Sequence, residues 1–248
     1  MIGIKGKPWI DLEPFIDIES LASQKPKLAA ALAASHQFRF PSVVGAQQNL
    51  YDQNDVELSD LVRKLIGNPL YEHANLIKLL GSIPKINLFA KYMYDAVSLN
   101  EAVHLRAVTG GNYNNKHLAS QCADTPAFKF FGFLREWLEM QNIFKEYGRV
   151  VFFINEPGVE SVIHRDYPDG TSRNDHFIWM SFDGRKSFWI YDDEKKEKHT
   201  VTSRAAIFNN ADWHGSDRCK YTGWSLRIDG IFTDDFLARA GLSDYYGK

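Results

Sequence analysis

The chain has two cysteines among its 248 residues, Cys122 and Cys219, too far apart for a Cys-x-x-Cys zinc pair and too few for a disulfide framework. Two reduced, buried thiols are expected. Charge of one sign is lacking as well: 29 lysines and arginines against 31 aspartates and glutamates leave a net charge of −2, which creates no field for a polyanion. Nucleic acid is therefore not an expected partner, and no basic patch interleaved with aromatics is visible. No apolar run approaches the roughly 20 residues of a membrane span, and the opening "MIGIKGKPWIDLEPF" lacks the apolar core of a secretion signal. A cytoplasmic protein without a membrane partner is expected. Also missing are Gly-x-Gly-x-x-Gly, the phosphate loop Gly-x-x-x-x-Gly-Lys, Gly-x-Ser-x-Gly and His-Glu-x-x-His. Dinucleotide, nucleotide, serine-hydrolase and zincin chemistry thereby lose sequence support.

Apolar and aromatic residues are plentiful, at 44% and 14%, enough for a large core in one domain. Residues 1–147 read as mainly helical. "DIESLASQKPKLAAALAASHQF" is alanine-rich, and "DVELSDLVRKLIG" places Val56, Leu58, Leu61, Val62 and Leu65 near one face before Gly67. In "FKFFGFLREWLEMQNIFKEYG" the spacing of Phe130, Phe131, Leu134, Trp137, Leu138 and Phe144 predicts a helix over 128–148. After Gly148 the period changes to that of strands: 150–155, 177–182, 187–192, 205–209 and 224–232 are short, rich in β-branched and aromatic residues, and separated by turn residues. The charged run 192–198 reads as a solvated hairpin loop, and 237–248 as a C-terminal tail. Helices first and strands later indicate an α+β fold, with a sandwich or open barrel over 148–236 covered by the helical part.

Chemistry concentrates in "SVIHRDYPDG". If His164 and Asp166 lie at a strand end they share a face, since alternate strand residues point the same way. His214, in "FNNADWHGSD", is the candidate third ligand. Two imidazoles and a carboxylate on one side of a divalent ion leave the other side open, which suits non-haem Fe(II) better than zinc. In "WSLRIDG", period two puts Ser225, Arg227 and Asp229 on one face and Trp224, Leu226 and Ile228 on the other. An inward arginine needs an anion, and its planar fork fits a carboxylate.

His164-x-Asp166, then His214, then Arg227 on the last strand resembles the double-stranded β-helix Fe(II)/2-oxoglutarate-dependent oxygenases, over about residues 150–232. Within it, "FIWMSFDGRKSFWIYD…AAIFNNADWHG…WSLRIDG" is loosely similar to bacterial and phage members related to aspartyl/asparaginyl hydroxylases. The resemblance implies a jelly-roll, cupin-like barrel with a mainly helical N-terminal part packed on it. It implies that His164, Asp166 and His214 hold Fe(II), and that Arg227 binds the distal carboxylate of 2-oxoglutarate with help from Ser225. In this chain the serine precedes the arginine, whereas many family members place it two residues after. The implied reaction couples O₂ and oxidative decarboxylation of 2-oxoglutarate, giving succinate and CO₂, to hydroxylation of a C–H bond; desaturation and ring formation stay open.

Asn155 and Trp179 are further candidates for contact with the co-substrate. His176, Arg173 and Tyr167, in or beside the loop after the triplet, are candidates for substrate binding. That polar loop favours a small zwitterion or a peptide side chain over a lipid. His36, His73, His104, His117 and His199 read as surface or capped histidines. The helical part is a candidate lid or homodimer surface. Two other readings stand beside the oxygenase: a cupin-like metal-dependent isomerase or hydrolase, and a non-catalytic β-barrel binding module in which His164 and His214 only form hydrogen bonds.

Overall fold

Strand-forming sequence in this chain starts before its apolar centre. "FKEYGRVVFFIN" is one continuous strand, β5 (Phe144–Asn155), so the helix expected over 128–148 is shorter than its apolar stripe. It follows a single 3-10 turn at Phe128–Phe130 and runs over Gly132–Gln141. Asn142, in the left-handed region at φ 50°, ends it. Phe144 therefore packs from a strand, stacked on Phe232 at 5.2 Å, rather than from the helical face. Phe131, Leu134, Trp137 and Leu138 are buried on that face as the period predicts. Phe131 stacks on Phe152 at 5.3 Å and fixes the helix to the sheet behind it.

The structure, a computed structural model, describes residues 1–44, 56–66, 82–83, 91–102, 117–167, 175–182, 184 and 186–246. Among them the strands are β1 (Trp9–Asp11), β2 (Phe40–Val44), β3 (Lys91–Ala102), β4 (Cys122–Asp124), β5, β6 (Ser161–His164), β7 (Phe177–Met180), β8 (Phe188–Asp192), β9 (Glu197–Thr200), β10 (Ala205–Phe208), β11 (Trp213–Ser216) and β12 (Gly223–Phe232). The helices are α1 (Ile18–Ala22), α2 (Lys25–Ala34), α3 (Val56–Ile66), α4 (Gly132–Gln141), α5 (Asp234–Arg239) and α6 (Ser243–Tyr246). None of them is long and apolar enough to cross a membrane.

From β5 onward the chain passes back and forth between two antiparallel sheets, with the β8–β9 hairpin staying in the smaller one. The larger has the order β1-β10-β7-β12-β5-β3-β2, with β4 paired to β3, and the smaller has the order β6-β11-β8-β9. Strands 5, 7, 10 and 12 thus face strands 6, 8, 9 and 11, which is the winding of a double-stranded β-helix. The protein is an α+β double-stranded β-helix. Period two divides its side chains cleanly. Val150, Phe152, Ile154, Ile178, Met180, Ala205, Ile207, Leu226 and Ile228 face the helices, in one core with Phe131, Leu134 and Trp137. Phe177, Trp179, Phe188, Ile190, Ala206 and Phe208 fill the space between the sheets.

The N-terminal part differs from a helical layer packed on a finished barrel. Its strands extend the larger sheet at both edges: Ile10 pairs with Ile207 on one side, and Val97 with Phe152 on the other. The alanine-rich segment breaks into α1 and α2, the first capped by the Asp17 side chain on Ser20 N at 3.0 Å and the second started by its proline. In α3, Leu58 is buried, while Val56 and Leu61 are exposed. The expected C-terminal tail is instead two short helices whose Phe236, Leu237, Leu242 and Tyr246 join the outer core. The charged run 192–198 is a hairpin turn only as far as Lys196, since Glu197 pairs with Asp192 and opens β9. Cys219 is buried and Cys122 only partly so.

Candidate metal centre

The short strands β6 and β11, whose few apolar residues conceal them in the sequence, bring the two histidines together. His214 sits directly opposite His164 in the β11–β6 register, with ring centroids 4.3 Å apart. Asp166 follows β6 by two residues, and its backbone N–H donates to Asn210 O at 2.9 Å. Asp166 Oδ1 then lies 3.9 Å from His164 Nε2 and 3.6 Å from His214 Nε2. The three ligand atoms are within 4.8 Å of one another, and no other such group of His, Cys, Asp or Glu occurs among the described residues.

The surroundings of His214 fix the direction of its imidazole. Its Nδ1 is 2.9 Å from Asp212 O, a contact that fixes the proton on Nδ1 and leaves the Nε2 lone pair facing the cluster. Asp212 is itself held by the backbone N–H groups of Ile2 and Gly3, at 2.5 and 2.7 Å. Phe188 and Phe208 flank the ring at 5.9 and 5.1 Å and keep water from that side. Gly215 is required for the strands to close here. A Cβ at this position would stand 2.8 Å from Ser161 O and 2.9 Å from the Trp189 ring. Gly215→Ala is expected to destabilise the fold by about 1–3 kcal/mol, the usual cost of overpacking, read as a lower urea midpoint at unchanged m-value.

Asp166 is more tightly bound than its spacing reveals. Its Oδ2 accepts from Arg227 Nη1 at 2.6 Å and from Asn210 Nδ2 at 3.2 Å. Arg227 points between the sheets as expected, but its other nitrogens also meet a carboxylate: Nε and Nη2 donate to Asp229 Oδ1 at 3.0 and 2.9 Å. Burial opposes the charge on Arg227, yet Asp229 and Asp166 outweigh it and raise the pKa above the ordinary arginine value. The guanidinium lies over the Phe177 ring at 4.1 Å, and Arg149 Nε completes the chain by donating to Asp229 Oδ2 at 3.0 Å.

The remaining candidates separate. Tyr167 is buried, and its hydroxyl donates to Asp175 Oδ2 at 2.5 Å; burial and then Asp175 push its pKa up. His176 accepts from the backbone N–H of Phe232 at 3.0 Å and stacks on Phe232 at 4.9 Å. Burial, then His117, hold its pKa down at about 4. Trp179 stacks on Phe188 at 4.8 Å inside the barrel. Arg173, His73 and His104 lie outside the described residues.

Deeper in the barrel is a group that composition and spacing did not single out. Lys186, in the turn before β8, is 4% exposed, and its Nζ donates to Ser225 Oγ at 2.9 Å. Burial pushes its pKa down to about 7, against an upward pull from Cys219. Asn155 is fully buried one strand away; its Nδ2 reaches Ser161 Oγ at 3.4 Å, while its Oδ1 has no hydrogen-bond donor among the described residues. A lysine in "DGRKSF" looks like turn solvation, and only the wrap of β8 against β12 turns it inward.

No protein-family model and no curated protein matches this sequence. Among solved structures, it is similar to a Pseudomonas putida prolyl-4-hydroxylase at 12% identity and TM-score 0.29, covering 44% of this chain and 66% of that chain. An oxidoreductase of the 2OG-Fe(II) oxygenase family from Burkholderia pseudomallei gives 12% identity and TM-score 0.30, covering 81% of this chain and 88% of that chain. A Trichoplax adhaerens prolyl hydroxylase, in complex with a peptide fragment of hypoxia inducible factor, gives 10% and 0.31, covering 77% of this chain and 98% of that chain. The fold assignment rests on the strand register itself. Fold and site together define a double-stranded β-helix protein with a two-histidine, one-carboxylate cluster at one end of its barrel.

Proposed function

We propose that the protein is an Fe(II)/2-oxoglutarate-dependent dioxygenase that hydroxylates a C–H bond of a small polar substrate, an amino acid or a peptide side chain. The observation that carries this reading is the convergence of His164 and Asp166, at the end of β6, with His214 of β11, their ligand atoms within 4.8 Å of one another. Two neutral imidazoles and one carboxylate fit Fe(II), and the one-sided set leaves positions for a 2-oxo acid and O₂. Bound there, iron, 2-oxoglutarate and O₂ would supply the oxidising power, with succinate and CO₂ as co-products.

The chain's own residues would do the rest. His164, Asp166 and His214 would hold the metal, with the His214 tautomer set by Asp212 O. Lys186 would receive the distal carboxylate of 2-oxoglutarate, sharing it with Ser225 and, from the neighbouring strand, Asn155. The buried Lys186, with its Nζ on Ser225 Oγ at 2.9 Å, favours a 2-oxo acid enzyme over a cupin isomerase, because a buried amine suits an anionic co-substrate. Ser225 stands two residues further from the metal end than Arg227 on the same face of β12, about 7 Å at strand rise, a span suited to a five-carbon diacid. Phe188, Phe208 and Trp179 would exclude water around the bound acid. Arg165, whose guanidinium stacks over Trp213 at 4.2 Å beside the cluster, and the polar loop after Asp166 support a polar substrate.

Anaerobic titration of metal-free protein with Fe(II) and then 2-oxoglutarate tests the reading. A weak visible charge-transfer band on adding the 2-oxo acid is expected, saturating at one equivalent. Failure of either to bind would remove the proposal.

A further inference from the structure

Arg227 is an inward arginine on the last strand, and the simplest use for such a group is to receive the co-substrate. Its contacts argue for a different one. The guanidinium donates through Nη1 to Asp166 Oδ2 at 2.6 Å and through Nε and Nη2 to Asp229 Oδ1 at 3.0 and 2.9 Å. Asp229 is fully buried and is clamped from its other oxygen by Arg149 at 3.0 Å. Two arginines and two carboxylates thus alternate in one row, buried except at its last member, the partly exposed candidate metal ligand Asp166.

We propose that Arg227 is a positioning residue for the metal: it holds Oδ2 of Asp166 away from the ion, so that Oδ1 alone is offered beside the two imidazoles. This rests on the metal-site reading of the preceding section. The physical argument is that a carboxylate on a loop just past a strand end can rotate about χ2 and present either one oxygen or both. With Oδ2 tied to Arg227 and, at 3.2 Å, to Asn210, the rotation is stopped with Oδ1 at 3.6 Å from His214 Nε2. One-oxygen ligation keeps a coordination position open that two-oxygen ligation would close. The brace is itself immobile, because the Asp229 side of the fork and the Phe177 ring beneath it, at 4.1 Å, leave the guanidinium no second arrangement. Arg227 thereby acts through Asp166, and the 2-oxo acid is left to Lys186 and Ser225.

The test uses the whole metal-free protein and Co(II), whose visible bands report both occupancy and coordination. In Arg227→Gln, Co(II) affinity is expected to fall by about 10–100-fold, as when a hydrogen-bond partner of a ligand is removed. The band shape should change as well. At saturating Co(II) the variant should bind 2-oxoglutarate within about threefold of the parent. Arg227→Lys, which keeps the charge but loses the fork, should recover only part of the affinity and not the parent spectrum; it also decides the matter if the glutamine variant does not fold. An unchanged Co(II) affinity and spectrum in either variant overturns the proposal, and a 2-oxoglutarate affinity at least tenfold weaker there would hand Arg227 back to the co-substrate. A parent that binds no Co(II) removes the metal reading itself and the brace with it, an outcome visible before any variant is made.

Discussion

His214→Ala is expected to abolish Fe(II) binding, and with it the proposed hydroxylase turnover, and Asp166→Ala to do the same. Three protein ligands are the fewest that hold a non-haem ferrous ion while leaving positions for two reactants. Removing one costs more than the about 10–100-fold attached to a partner outside the coordination sphere. His214 is the sharper choice, because its tautomer is already set for ligation by Asp212 O and its ring fills a slot between Phe188 and Phe208. The resulting cavity lowers stability somewhat, so the variant needs a comparison that loses an equally placed imidazole. His176→Ala provides it: that ring is packed against Phe232 and Tyr246 and hydrogen-bonded to Phe232 N, outside the cluster. Isothermal titration with Fe(II) under anaerobic conditions should show binding retained in His176→Ala and lost in His214→Ala. Loss in both would mean that the His214 effect is one of folding, and retention in both would take His214 out of the metal site.

The cluster was legible because its three members carry their chemistry in their identity, and because a spacing of two at a strand end lets His164 and Asp166 share one face. The five apolar strands were legible for the same reason that they are buried: β-branched and aromatic residues in short runs. Strands β6, β9 and β11 were not. β9 is "EKHT", with charged and polar side chains turned to solvent, and β11 is "WHGS", held by its neighbours' backbones and by the closeness that Gly215 permits. β5 was half legible, since the apolar stripe of α4 continues in phase into Phe144, and only the left-handed Asn142 marks the break. Arg227 could be placed on its face from period two, but its partner could not. Asp229, two residues on and on the same face, competes for the fork at no cost in chain entropy. Lys186 was missed because a lysine's direction at a turn depends on the wrap of one sheet over the other, a long-range property that no local pattern encodes.

Lys186→Met is expected to stabilise the protein at neutral pH while removing 2-oxoglutarate binding. The folded value of about 7 lies below the ordinary 10.5 because burial disfavours the ammonium. Between those two values the unfolded chain carries the extra proton, so stability rises with pH through the window. Below about 7 both states are protonated and the full cost of burying the charge is present, on the order of a few kcal/mol at roughly 1.4 kcal/mol for each tenfold change. A methionine of similar length carries none of this and forfeits one hydrogen bond to Ser225, worth about 1 kcal/mol. Urea midpoints at pH 6.5 and 9.5 separate the terms: the parent should gain stability between them, and the variant should start higher and show a smaller rise, the difference belonging to Lys186 alone. Stability given up at a single buried cation is characteristic of a site kept for a ligand, and the ligand should recover it. In the Fe(II)-loaded parent, 2-oxoglutarate should raise the thermal midpoint, and in Fe(II)-loaded Lys186→Met it should not. A variant that is less stable than the parent at pH 6.5, and that 2-oxoglutarate still protects, would show that Lys186 serves the fold and that the distal carboxylate is held elsewhere.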